Sequence, residues 1–141
     1  MNVAGTELNP HQLYQILRLR AEVFVVEQRC PYLDLDGRDL APDTRHFWTE
    51  GFESYLRVFT EGDGAYRIGR VVTAEHARGR GLAARLMTGA LDYIGDADSV
   101  LAAQTYAQGF YAKFGYVPEG DEFDEDGIPH ITMWRRVART R

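Results

Sequence analysis

Residues 78–83 read Arg78-Gly79-Arg80-Gly81-Leu82-Ala83 and separate a strand-like segment from the clearest helical pattern in the chain. Glycine allows the backbone to approach a ligand closely, and the first turn of a helix points unpaired N–H groups at an anion. The two arginine side chains add positive charge that suits a phosphate group. These residues therefore predict a binding site for an anion, such as a phosphate, at the start of a helix.

The segments on either side of this turn alternate between strand and helix patterns. Residues 66–73 carry the β-branched residues of a strand, and residues 80–94 carry an apolar stripe at helical spacing that Gly95 ends. Residues 100–103 form a short apolar run typical of a buried strand, and residues 105–114 resemble a short helix. The centre of the chain is therefore predicted to be a β-α-β-α unit.

Further elements are predicted before and after this unit. Asn9-Pro10 and Gln12 match a helix N-cap with a capping box, and the apolar spacing continues to Phe24. Residues 29–45 are rich in Asp, Gly and Pro and predict a long loop, which in a compact domain usually has a function. Two hairpins complete the pattern: 46–50 with 53–60, and 116–123 with 128–137 around the acidic turn 124–127. The pattern predicts an α/β fold with a mixed, mostly antiparallel sheet and helices on both faces.

Composition restricts the functional classes. The chain has 141 residues, a formal net charge of −5 and one cysteine, Cys30, so we expect one domain over residues 1–141 with no internal disulfide. The acidic balance disfavours nucleic-acid binding. No apolar run approaches the roughly 20 residues that span a bilayer, and no leader segment is evident, so we expect a cytoplasmic protein without membrane contact. The histidines are scattered, and residues 121–126 do not fit a calcium loop, so no metal is expected.

The glycine-rich turn has three alternative interpretations. It could be a simple connection between a strand and a helix. Residues 79–84 also fit the dinucleotide pattern G-x-G-x-x-G/A with Asp98 at the expected distance, but residues 74–78 intervene between the strand and the first glycine. A Walker loop requires Lys-Ser or Lys-Thr after its last glycine, and the chain contains neither.

Arg78, Gly81 and Ala83 occupy the defined positions of [Q/R]-x-x-G-x-[G/A], so the turn resembles the acetyl-CoA signature of the GNAT family. Residues 104–116 resemble the second motif of that family, a short helix ending in Y-x-K-x-G-[FY]. The resemblance extends to the ElaA-type branch through several further segments: 19–32, 36–37, His46, 67–71, 103–104 and 125–130. Because only residues 1–6 precede the matching region, the first strand of the fold is expected to be short or absent.

The resemblance implies a GNAT fold and the transfer of an acetyl group from acetyl-CoA to a primary amine by direct attack. It implies Tyr111 as the general acid that protonates the departing thiolate, so the nearby Tyr106 and Tyr116 are not expected to have this role. It also implies the backbone N–H of Val72 as the group that polarises the thioester carbonyl. The residues implied in CoA binding are Val71, Val72, Thr73, Arg78, Gly79, Arg80, Gly81, Leu82, Ala83, Ala84, Gln104, Phe110 and Lys113.

The general base that accepts a proton from the acceptor ammonium is left open. The candidates are Glu27, Asp34, Asp36, His46, Asp126 and His130, and Glu27 and His130 are taken forward. Glu27 could equally pair with Arg18 or Arg20 along the first helix.

Two loops of the chain are rich in acidic residues, and their role has two interpretations. They form either an anionic rim that favours a cationic amine or a solvated surface. The residues are Asp34, Asp36, Asp39 and 124–126. The acceptor is expected to be a small-molecule or peptide amine, and a homodimer is possible. A CoA-binding regulatory or partner-binding module without turnover is the alternative function, and a nucleotide-binding protein is a third.

Overall fold

The described part of the chain, residues 1–137 of a computed structural model, forms an eight-stranded sheet covered by helices. The last residues of the predicted domain, 138–141, lie outside this described part. The strands are β1 (Asn2–Ala4), β2 (Arg45–Trp48), β3 (Ser54–Thr60), β4 (Tyr66–Thr73), β5 (Ser99–Gln104), β6 (Val117–Pro118), β7 (Phe123–Glu125) and β8 (Ile128–Arg135). The helices are α1 (Pro10–Arg20), α2 (Leu82–Ile94) and α3 (Gln108–Ala112).

The sheet is mixed and mostly antiparallel, as predicted. Its strand order is β1-β2-β3-β4-β5-β8-β6, and β7 also pairs with β8. Neighbouring strands are antiparallel except β4 and β5, which lie parallel on either side of the crossover through α2. The first strand is short but present, since Asn2–Ala4 pairs with the start of β2. The elements β4, α2, β5 and α3 follow one another along the chain and form the predicted β-α-β-α unit.

Helices cover both faces of the sheet because successive side chains of each strand point to opposite sides. Leu56 of β3 packs with Met87 of α2 in one apolar cluster. The adjacent Tyr55 packs with Ile16 and Leu19 of α1 in a second cluster on the other face. The two faces are therefore buried separately, α2 covering one and α1 the other.

The first helix begins as the sequence predicts. Asn9 Oδ1 accepts a hydrogen bond from the Gln12 N–H at 2.8 Å, and the Asn9 N–H donates to Gln12 Oε1 at 3.1 Å, which completes a capping box. After Arg20 the helix widens into a π-helical segment, Ala21–Glu27, which continues to the long loop. Wide turns of this kind occur often at functional sites.

Two predicted elements differ from the structure because a glycine takes a positive φ angle. The helix predicted over 80–94 begins at Leu82, because Gly79 and Gly81 have φ angles of +83° and +73°, which a right-handed helix does not contain. The strand predicted over 116–123 is interrupted near Gly120, whose φ is +87°, and pairing resumes as β7 at Phe123. β7 thereby enters the predicted acidic turn.

The turn between β7 and β8 is tighter than the predicted span of 124–127. Asp126 and Gly127 have φ angles of +53° and +80°. Positive φ at both central residues defines the two-residue hairpin turn whose twist matches that of the strands. The tip of this hairpin is therefore Asp126-Gly127, and Glu125 belongs to a strand.

Candidate active site

A cavity opens where β4 and β5 stop pairing. The two strands are in register only at Tyr66 with Ser99 and Arg67 with Val100, although β4 continues to Thr73 and β5 to Gln104. The resulting cavity has a volume of about 590 Å³. Its walls come from both strands, the π-helical segment, the long loop, the helical turns around α3 and the β7–β8 hairpin. The separation of β4 from β5 beyond Arg67 and Val100 is called the split, and it brings together segments from both halves of the chain.

A β-bulge lies in β4 along this cavity. Tyr55 pairs with Val72 and Arg57 with Gly69, so Leu56 alone opposes both Arg70 and Val71. Arg70 has a φ of +52°, which is uncommon for a residue with a side chain. The bulge confirms that β4 is irregular near the residues implied in thioester binding.

The carbonyl of Val72 faces β3, and Val72 also lines the cavity. Ser54 Oγ of β3 donates a hydrogen bond to the Val72 carbonyl at 3.0 Å, and the Ala74 N–H donates to Glu53 O at 2.8 Å. In an antiparallel pair, backbone groups alternate between the two sides of a strand. By this alternation the N–H groups of Val71 and Thr73 lie on the open edge of β4, beside the predicted Val72 N–H.

The glycine-rich turn follows β4 at the edge of this cavity. Gly81 precedes the first turn of α2, and no side chain caps the N–H groups of that turn. Arg78 lines the cavity, and its Nε donates to Thr73 O at 3.2 Å. Arg80 lies 3.6 Å from Glu53. The start of α2 therefore has N–H groups without a side-chain cap and two arginines nearby, and the anion site there stays a prediction.

Glu27 forms an ion pair with Arg78. Its carboxylate oxygens accept from the Arg78 Nη atoms at 2.6 and 2.8 Å, in the two-bond geometry that arginine favours. This hydrogen bonding lowers the pKa of Glu27. The structure therefore joins a candidate base to a candidate phosphate ligand, whereas the alternative partners pair elsewhere: Arg18 with Glu22, and Arg20 with aspartates of the long loop.

Tyr111 lines the cavity from α3. Only 8% of its surface is exposed, and within residues 1–137 its hydroxyl has no hydrogen-bond partner. Burial raises the pKa of Tyr111 well above its usual range, so the phenol keeps its proton. Tyr106 also lines the cavity but is largely exposed. Tyr116 is buried and bonded to Ser99 Oγ at 2.7 Å, and it does not line the cavity.

His130 faces the cavity from β8. Its Nδ1 lies 2.7 Å from the carbonyl oxygen of Ile128. A carbonyl only accepts, so Nδ1 carries the proton and Nε2 keeps its lone pair in the neutral ring. Nε2 lies 3.6 Å from Glu125, and the ring stacks on Phe123 with 5.9 Å between centroids. Only 8% of His130 is exposed, so the basic nitrogen is held in one orientation.

Three aspartates of the long loop are paired with arginines, two of which are buried. Arg20 of α1 bonds to Asp34 at 2.8 Å and to Asp39 at 2.6 Å. Arg57 of β3 bonds to Asp36 and Asp39, and Arg70 of β4 bonds to Asp34 at 2.8 Å. These contacts lower the pKa of Asp39 and the pKa of Asp36 despite their burial. The loop aspartates therefore form neither an open anionic rim nor an accessible base.

His46 also belongs to this network. Its Nε2 lies 2.7 Å from Asp39 O, and its Nδ1 lies beside the Tyr55 hydroxyl. The ring has no exposed surface, and burial lowers its pKa. His46 does not line the cavity, so it is not placed to accept a proton from a substrate there.

The remaining predicted site residues divide into two groups. Gln104 lines the cavity, and its side-chain amide donates to Gln28 Oε1 at 3.4 Å across the split. Phe110 and Lys113 do not line it: Phe110 packs on Tyr111, and Lys113 is exposed at the end of α3. Asp126 lines the cavity at the hairpin tip.

Arg57 and Arg70 are residues of this region that the sequence prediction did not assign. Both line the cavity and anchor the long loop. One signal was present: Arg57 lies between Tyr55 and Phe59 on a strand face that points inward. An arginine at a core-facing position needs an acidic partner, and the loop supplies several.

The described residues carry neither a membrane span nor a metal-binding cluster. No helix within residues 1–137 is long and apolar enough to cross a membrane. Within the same residues, no group of three or more His, Cys, Asp or Glu side chains is arranged to hold a metal ion.

Comparison with known proteins gives consistent sequence matches. The model of the acetyltransferase (GNAT) domain matches residues 49–137. A UPF0039 protein of Mycobacterium tuberculosis is 48% identical over 140 residues, which cover 94% of this chain and 90% of that protein. The protein ElaA of Escherichia coli is 42% identical over 143 residues, which cover 95% of this chain and 94% of ElaA.

Solved structures show the same fold. An acyl-CoA N-acyltransferase from Pseudomonas aeruginosa superimposes with a TM-score of 0.89 at 41% identity, covering 96% of this chain and 97% of that one. The crystal structure of Escherichia coli ElaA superimposes with a TM-score of 0.88 at 39% identity, with the same coverage. The split sheet, the glycine-rich turn and these matches together show that the chain belongs to the GNAT acetyltransferase family, among the relatives of ElaA.

Proposed function

We propose that this protein transfers an acetyl group from acetyl-CoA to a primary amine. The observation that carries the proposal is the cavity between β4 and β5, which is lined by both a buried, protonated phenol and an imidazole with a fixed basic nitrogen. Acyl transfer from a thioester to an ammonium needs one group of each kind. The family relationship to acyl-CoA N-acyltransferases supports the same reaction.

In the proposed complex, CoA lies along the open edge of β4. The pantetheine arm pairs with the backbone of residues 71–73, as an added strand pairs with a sheet edge. The pyrophosphate lies at the start of α2, where the N–H groups of residues 79–84 and the side chains of Arg78 and Arg80 surround it. Gln104, Phe110 and Lys113 are kept as further contacts, and Lys113 supplies an exposed positive charge.

The chemistry begins with deprotonation of the acceptor. His130 Nε2 accepts a proton from the ammonium, and the neutral amine attacks the thioester carbonyl carbon. The N–H of Val71 at the bulge donates to the carbonyl oxygen as it gains negative charge. The C–S bond then breaks, Tyr111 donates its proton to the thiolate, and the two side chains exchange protons with solvent before the next turnover. Glu27 holds Arg78 and is not the base, since its carboxylate is already bound.

The test measures thiol release from acetyl-CoA in the presence of a panel of primary amines. We expect release that depends on the amine, and a His130→Gln variant that binds CoA normally but transfers slowly at neutral pH. Calorimetry of CoA binding provides the second measurement. No binding of CoA would refute the proposal, and binding without transfer to any amine would assign the chain to the alternative, a CoA-binding module without turnover.

A further inference from the structure

The positive charges around the cavity are all balanced by carboxylates. Arg78 is paired with Glu27, and Arg67 is paired with Glu61. Arg57 and Arg70 share the loop aspartates described above. Each arginine that lines the cavity therefore has an acidic partner, and these pairs leave little net charge there.

Two carboxylates lining the cavity are not balanced in this way. Asp126 lies at the tip of the β7–β8 hairpin and Glu125 ends β7 directly before it, and within residues 1–137 neither forms an ion pair with an arginine or a lysine. The contact made by Glu125 is with His130, at 3.6 Å from Nε2. The part of the cavity beside His130, the proposed base, therefore carries net negative charge.

The hairpin tip is held against the opposite wall of the cavity. Cys30 Sγ lies 3.4 Å from the Asp126 carbonyl oxygen and 3.4 Å from the Gln28 carbonyl oxygen, so its one S–H is shared between the hairpin and the start of the long loop. Phe123 stacks on His130 at the base of the same hairpin. The two carboxylates are therefore attached to an anchored turn, and this fixes the location of their charge relative to the imidazole.

An independent feature points to a ligand in the same cavity. The Tyr111 side chain is more than nine-tenths buried, and its hydroxyl has no hydrogen-bond partner within residues 1–137, although it borders this space. Buried polar groups are rarely left without a partner. A polar molecule bound between Tyr111 and the hairpin would satisfy this hydroxyl.

We propose that the acceptor is a primary amine carrying a second positive charge, which Glu125 and Asp126 bind while the first nitrogen reaches His130. This inference rests on the proposed acetyl transfer and specifies its substrate class. Two like charges close together attract a cation and repel an acid. A neutral or acidic group at the far end of the acceptor would leave the pair of carboxylates uncompensated.

The test compares three amines with the same carbon chain: putrescine, which carries a second ammonium, butylamine, which carries none, and γ-aminobutyrate, which carries a carboxylate. We expect kcat/KM with acetyl-CoA to fall in that order. The preference for putrescine is the ratio of kcat/KM for putrescine to kcat/KM for butylamine. The double variant Glu125→Gln/Asp126→Asn should reduce this ratio by about tenfold, as expected for two partly exposed charge contacts. Asparagine tolerates positive φ, so the turn at position 126 is retained.

The matched control is Asp121→Asn/Glu122→Gln, which removes the same charge from exposed residues outside the cavity. In this control variant, the ratio of kcat/KM for putrescine to kcat/KM for butylamine should be unchanged. Equal kcat/KM for putrescine and butylamine, or an unchanged ratio in the Glu125/Asp126 variant, would overturn the inference while butylamine acetylation left the proposed function intact. Failure to acetylate all three amines would overturn the inference, whereas CoA binding and the wider amine panel decide the proposed function.

Discussion

Replacing Tyr111 by Phe tests the proposed acid directly, because the change removes a hydroxyl that has no partner within residues 1–137. Stability should therefore change little. Loss of a general acid slows a reaction by about 100- to 10,000-fold, which corresponds to roughly 3–5 kcal/mol in the activation free energy. Thiol release under saturating acetyl-CoA and amine measures kcat, and calorimetry measures CoA binding, which should be nearly unchanged.

Tyr116→Phe is the matched control, for which we expect lower stability and little change in kcat. Its hydroxyl bonds to Ser99 Oγ at 2.7 Å in the core, and Ser99 has no exposed surface. Leaving this serine without a partner costs about 1–3 kcal/mol, or roughly 4 °C in Tm for each kcal/mol in a domain of this size. The acid assignment would be refuted if the Tyr111 variant kept full kcat, or if both variants lost rate in proportion to lost stability.

Three other measurements address the anion site and the buried charges. Gly81→Val should abolish CoA binding in calorimetry, because a β-branched residue is strained at a φ of +73° and disturbs the start of α2; retained affinity would contradict the anion site. Glu27→Gln should tighten CoA binding by about two- to fivefold, since it removes the carboxylate that competes for Arg78. Weaker binding would instead mean that Glu27 positions Arg78 for the phosphate. Tm should fall as the pH is lowered through about 6.5 and then through about 4, because the folded-state pKa of His46 and that of Asp39 lie below their unfolded values, so the unfolded chain binds more protons in acid. A Tm that stays constant over that range in a thermal scan would contradict this.

The central unit could be predicted from sequence because its signals are local. The helical stripe after Gly81, the β-branched residues of β4 and the capping box at Asn9 each depend on residues a few positions apart. Helix and strand periodicity, together with turn residues, specify such elements. The errors lie at element boundaries, where positive φ at Gly81 and Gly120 decided the outcome.

The orientation of backbone groups along β4 could not be predicted. A single extra residue at the bulge changes which N–H groups face the open edge, and sequence spacing does not reveal where Arg70 takes a positive φ. The resemblance therefore names Val72, whereas the alternation along β4 turns the neighbouring N–H groups of Val71 and Thr73 toward the open edge.

Ion pairs between residues far apart in the chain could not be predicted from the sequence either. Glu27 and Arg78 are separated by 51 positions, and nothing local indicates that they meet. The acidic loop resembles a solvated rim in sequence because its partners, Arg20, Arg57 and Arg70, lie on three different elements. Ordinary charge counts show how many such residues exist but not which ones are neutralised.

The arginine–aspartate network has a consequence for redesign of this protein. Its cations come from α1, β3 and β4, whereas its anions all come from one loop. Grafting a different loop into this position would leave several guanidinium groups buried without partners unless the new segment returned carboxylates to the same places. The β7–β8 hairpin carries Glu125 and Asp126 without ion pairs to arginine or lysine within residues 1–137, so it is the more practical place to exchange residues when a new acceptor is sought.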